Sequence, residues 1–109
     1  MRTARLPLPT SVTESLARFG AGLRRLRARR RMPMTYVAER ASISRSTLHR
    51  MERGDPRVAL GLYAAVLASY GMLDRLEALV DSGRDRAGLA LDEARLPRRV
   101  RARSAREDT

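Results

Sequence analysis

The sequence predicts an all-α fold, and three observations carry that prediction. Between Ser11 and Val80 the apolar residues recur at spacings of three and four, as Val12, Leu16, Phe19, Leu23 and Leu26 do. That spacing puts them on one side of a helix rather than on alternate faces of a strand. The periodic stretches are separated by helix-ending signals: Gly54, Gly71 and the run Asp81-Ser82-Gly83. Near the middle, two short helical patterns flank a tight Ser42-Ile43-Ser44 turn.

Met34 to Arg53 (MTYVAERASISRSTLHRMER) is the stretch around which the rest is arranged. Val37 and Ala38 lie in its first helical pattern and Leu48 and Met51 in its second, a layout that fits a helix-turn-helix. Val37, Ala41, Ile43, Leu48 and Met51 fall where two steeply crossing helices touch, and Ala38 is small enough for the backbones to approach. Ser44 is placed to cap the second helix, its hydroxyl accepting from an amide of the first turn. On that helix Leu48 and Met51 point inward, while Arg45, Ser46, His49, Arg50 and Arg53 share the outer face. Such a donor-rich face suits DNA: arginine reaches both acceptors of a guanine in the major groove, and serine or histidine reaches base edges or phosphates. Arg45, Ser46, His49 and Arg50 are therefore the candidates for base contacts, and Ser44, Arg53, Arg30 and Arg31 those for phosphate.

In chain order, residues 1–10 read as an extended arm with Pro7, Pro9 and two arginines. Ser11 and Glu14 have the spacing of a capping box, so the first helix is expected to start there. Gly20 and Gly22 in its middle mark a bend or a close helix contact. Arg24, Arg25, Arg27, Arg29, Arg30 and Arg31 crowd its end, where the helix dipole favours cations. Pro33, with no amide to leave unsatisfied, is expected at the first position of the next helix. Beyond the central stretch Asp55-Pro56 turns the chain, and Leu62, Tyr63, Val66, Leu67 and Tyr70 form the face of a fourth helix ended by Gly71. Met72 to Val80 supplies a fifth through Leu73, Leu76, Leu79 and Val80, which assigns residues 11–83 to one helical domain. From Arg84 the composition changes. Residues 84–109 run into LPRRVRARSAR, where only Leu96 and Val100 are bulky anchors, and are expected to form a basic, partly disordered tail.

At 109 residues the chain has room for one small helical core with tails. Its formal net charge of +11, with every basic side chain an arginine, favours a polyanionic partner. The absence of cysteine excludes disulfides and thiolate metal sites. With one histidine and no Asp or Glu cluster at ligand spacing, neither a metal, a cofactor nor a catalytic pair is expected, and an enzyme is the class with least support. No apolar run approaches the ~20 residues that cross a membrane, and the N-terminus lacks a signal-peptide core, so a cytoplasmic location is expected.

SRSTLHRMERG resembles the recognition helix and following turn of Xre-type, or lambda-repressor/Cro-like, helix-turn-helix domains. The likeness runs from about Leu16 to Val80, through LRRLRARR and LGLYAAVLASYG. Ser42 stands where that family usually carries glycine, and Met34 where it often carries a phosphate-binding glutamine. The resemblance implies a five-helix domain with a structural ion pair between Arg27 and Glu52 at the margin of the core. It also implies a homodimeric transcriptional repressor on a double-stranded DNA operator. Within the family, GDPRVALGLYAAVLASYGMLDRL followed by LPRRVR looks like the HipB-type antitoxins, whose partners are HipA-type serine/threonine kinase toxins. The implied tasks are then repression of its own operon and neutralisation of the kinase. Free-standing Xre-type regulators share most of these residues, and a basic module holding RNA or an acidic protein would share the charge.

Overall fold

The computed structural model describes residues 7–95; the first six residues of the expected arm and the basic segment from Leu96 onward lie outside them. Among the described residues the elements are α1 (Thr10–Arg29), α2 (Met34–Arg40), α3 (Arg45–Glu52), α4 (Leu60–Ser69), α5 (Leu73–Ala78), a 3-10 turn at Ser82–Arg84, and α6 (Arg86–Arg95). The chain divides into two units between Asp74 and Arg75.

In the first unit α1 starts without the expected capping box. The carbonyl of Pro9 accepts from the amides of Val12 (3.0 Å) and Thr13 (3.2 Å), and no side chain caps the helix. Pro9, at φ −58° and ψ 147°, leads the chain into the helix at Thr10, so Ser11 already lies inside it and cannot act as the cap. Of the expected stripe, Leu23 is buried and Leu16 and Leu26 are half-buried, whereas Val12 and Phe19 are exposed. The close contact foreseen at the glycines exists at Gly20, where a Cβ would lie 2.5 Å from the Gly54 nitrogen and 2.7 Å from the Met51 carbonyl oxygen. At Gly22 a Cβ would meet nothing nearer than 3.8 Å. Pro33 flanks α2 instead of opening it: its ψ of 152° is extended, and its carbonyl accepts from Tyr36 and Val37.

Leu48, Met51, Val37 and Val66 are the largest fully buried side chains, packed with Leu23, Ala38, Ala41, Val58, Tyr63, Leu67 and Tyr70. Each large aliphatic side chain removed from water contributes about 1.5–3 kcal/mol before entropy is counted. At the edge of this core Arg27 grips Glu52 with two hydrogen bonds, Nε to Oε2 at 2.7 Å and Nη2 to Oε1 at 3.1 Å. The Glu52 side chain is only 4% exposed, so the carboxylate needs this partner. The same hydrogen bonding to Glu52 raises the Arg27 pKa against the opposing effect of burial.

Four helices of this unit end in the same way, with a left-handed residue one place past the cap. After α1 it is Arg31 (φ 55°), after α2 Ser42 (φ 58°), after α3 Gly54 (φ 77°) and after α4 Gly71 (φ 73°). In each case the next amide reaches back to the last turn: Met32 to the Arg27 carbonyl, Ile43 to Ala38, Asp55 to Arg50 and Met72 to Leu67, all at 2.9–3.1 Å. These are Schellman ends, which satisfy carbonyls that the helix leaves free.

Helix α5, whose first two residues belong to the first unit, stops at Ala78, short of the expected Val80. Leu79 and Val80 keep the helical spacing but are 78% and 84% exposed, so no burial stabilises the extra turn. The composition from Arg84 onward pointed to no helix, yet α6 forms. Its start is held by Asp85, whose carboxylate accepts from the Gly88 amide at 3.0 Å and whose carbonyl accepts from Leu89 at 2.9 Å. No residue of α5, the 3-10 turn or α6 is buried.

Candidate nucleic-acid interface

The turn between α2 and α3 sets the site. Ser42 takes the left-handed conformation that its glycine-substituted position demands, at a cost of roughly 1 kcal/mol for a residue with a Cβ. Two residues on, the Ser44 hydroxyl accepts from the Thr47 amide at 3.0 Å, as the sequence indicated, a cap that contributes about 1 kcal/mol. That hydroxyl also donates to Thr47 Oγ1 at 2.9 Å, so its donor is engaged within the turn.

From this cap α3 presents two faces. Leu48, Met51 and Glu52 are buried, while Arg45, Ser46, His49, Arg50 and Arg53 are exposed together on the other side. Among the described residues, no hydrogen bond or ion pair ties the side chains of Arg45, Ser46, His49 and Arg53. Arg50 is different: its Nε donates to Asp55 Oδ2 at 2.9 Å. Asp55 also receives the backbone amide of Arg57 at 2.9 Å and its Nε at 3.2 Å, while its own carbonyl accepts from the Tyr63 hydroxyl at 2.8 Å. The Arg57 amide, then the two guanidinium groups, hold the Asp55 carboxyl well below the usual carboxylate range. Arg50, Asp55 and Arg57, with Thr13, His49 and Arg53, line an open cleft of about 670 Å³ along the end of α3.

Two candidates for phosphate contact lie elsewhere. Arg30 donates from Nη1 to the Tyr70 carbonyl at 3.0 Å, and its guanidinium stands 5.5 Å from the centre of the Tyr70 ring. That contact engages one nitrogen of the exposed Arg30 at the end of α4 and sets its guanidinium by the ring face. Arg31 is exposed at the left-handed end of α1. Conversely, Arg57, 81% exposed in its side chain, joins the cleft although the sequence did not single it out. The available signal was Gly54: a left-handed residue at that place folds the next one, Asp55, back onto the last turn of α3.

Among the described residues no three His, Cys, Asp or Glu side chains gather to hold a metal ion, and no helix is long and apolar enough to cross a membrane. Neither the curated proteins nor the solved structures contain a significant match to the chain. Residues 18–80 match the model of a family described as a helix-turn-helix domain. The match takes in α2, the turn, α3 and α4 and spans more than half of the chain, which therefore belongs to the helix-turn-helix domain family of DNA-binding regulators.

Proposed function

We propose that the chain is a homodimeric, sequence-specific repressor that lays the exposed face of α3 in the major groove of an operator. The observation that carries this reading is a helix buried on one side, capped at its start, and lined on the other side by the untied side chains of Arg45, Ser46, His49 and Arg53. Arg45, Ser46 and His49 meet base edges, with Arg50 beside them, and Arg53 lies toward the phosphates. One such helix contacts few base pairs, so two copies reading half-sites about 34 Å apart supply useful specificity. The test is selection of duplexes from a random library, followed by titration of the enriched duplex and a scrambled one. Arg45→Ala should lose roughly 1–3 kcal/mol on the enriched duplex and little on the scrambled one. Equal losses would make Arg45 a phosphate contact, and no enrichment at all would leave a basic module that binds by charge alone.

The resemblance of residues 54–76 and of LPRRVR to HipB-type antitoxins extends the proposal to a second task, neutralising a HipA-type kinase toxin. With α3 on DNA, the partner engages α1, α5 or the chain beyond Gly83. Truncation after Gly83 should keep the operator preference and reduce toxin binding in a pull-down and growth-rescue assay with the product of the adjacent gene. No interaction by the full-length chain rejects the antitoxin role and leaves a free-standing Xre-type regulator.

A further inference from the structure

We infer that Asp55 sets DNA specificity as a positioning residue: its carboxylate orients Arg50 beside the reading face and holds Arg57 off the phosphates. The inference rests on the role proposed for α3. The geometry is that of a fixed clamp. The Asp55 amide donates to the Arg50 carbonyl at 3.1 Å and its carbonyl accepts from the Tyr63 hydroxyl, so the backbone is held on both sides. The side chain is 11% exposed, and its two oxygens take Arg50 Nε on one side and the Arg57 amide and Nε on the other. Among the described residues that line the cleft Asp55 is the one acid, and Arg50, Arg53 and Arg57 also stand there.

The two arginines are held differently. Arg50 is bound through Nε alone, which fixes the plane of its guanidinium and leaves both Nη groups, the fork that reads guanine, unpaired. Arg57 uses its Nε at 3.2 Å and an Nη2 at 3.5 Å on the same carboxylate, so a phosphate has to compete with Asp55 for it. Binding to duplexes of the wrong sequence comes almost entirely from phosphate contacts, whereas Arg45, Ser46 and His49 are tied to no acid. An anion at this point therefore subtracts more from random binding than from specific binding. The Asp55 carboxyl also stays ionised, because its partners hold it well below the usual range.

Asp55→Asn tests the clamp, because asparagine keeps an oxygen for the Arg57 amide and removes the charge. The probes are a random-sequence duplex and the duplex enriched by the parent chain, each titrated over a range of salt. The expected result is tighter binding of the random duplex, with a log–log salt slope steeper by about 0.9 for each arginine released. The ratio of enriched to random affinity should fall at least about threefold. Unchanged slope and ratio in a variant with the parent's helical circular dichroism overturn the inference, as does equal weakening on both duplexes. Arg57→Gln, at an exposed position, gives a second reading. It should leave the random-duplex slope of the parent nearly unchanged, and a slope flatter by about 0.9 would mean that Arg57 already sits on a phosphate and is not held. If selection enriches no duplex, sequence reading fails, while the slopes on random DNA still decide the clamp.

Discussion

The ends of α3 and α4 carry glycine at the left-handed position, and the ends of α1 and α2 carry Arg31 and Ser42 in the same conformation. The hydrogen-bond pattern is common to all four, so the pattern does not select the residue. What differs is the surroundings. A Cβ at Gly54 would collide with the backbone of Leu16 and Ala17, while one at Gly71 would meet nothing within 4 Å. Arg31 and Ser42 are held by neighbours instead: Arg27 Nη1 donates to the Met32 carbonyl at 3.1 Å just past Arg31, and Ser42 lies between buried Ala41 and the Ser44 cap. A left-handed helix end thus tolerates a side chain where the next segment is anchored, and requires glycine where two backbones meet.

The sharpest test is Gly54→Ala, which adds a steric collision to an unfavourable φ. It should destabilise the domain by about 3 kcal/mol or more, read as the shift of a urea midpoint. Glu52→Gln comes next, because it removes the charge that holds Arg27 over Met32. A loss of about 2–3 kcal/mol is expected, below the full value for a deeply buried pair since Arg27 is 15% exposed. A melting temperature equal to the parent's would show the α1 end to be held without that pair. Gly71→Ala isolates the φ term, with about 1 kcal/mol lost, and a loss as large as that of Gly54→Ala would erase the distinction drawn here. Smallest is Ser42→Gly, for which relief of the left-handed strain is offset by a more flexible unfolded chain. A net gain under about 1 kcal/mol is expected, and a clear loss would mean that the serine side chain stabilises the turn.

Local patterns made much of this fold legible. Leu48 and Met51 fall inward because three residues on a helix nearly complete a turn, and Ser44 caps because its hydroxyl reaches an amide three residues on. The Arg27–Glu52 pair, 25 residues apart, was visible only through family resemblance, since no spacing rule links two helices. Ser11 and Glu14 matched a motif but sat two residues too far along, because the Pro9 carbonyl starts the helix first. Leu79 and Val80 show that helical periodicity without burial does not extend a helix. In the candidate site, the exposed face of α3 was readable from spacing. The contact of Arg30 with Tyr70 and the sharing of Asp55 by Arg50 and Arg57 depend on where later turns return the chain.

Gly20 and Gly54 meet as bare backbones, and a contact of that kind has no rotamers to change. The tilt of α3 against α1 is therefore not adjustable by repacking side chains at their crossing. Bulk introduced at either glycine breaks the joint instead of turning it by a few degrees. On the proposed reading of α3, variation in what the chain recognises is channelled onto the exposed positions of that helix, which can be exchanged as a set while the mounting beneath them stays constant.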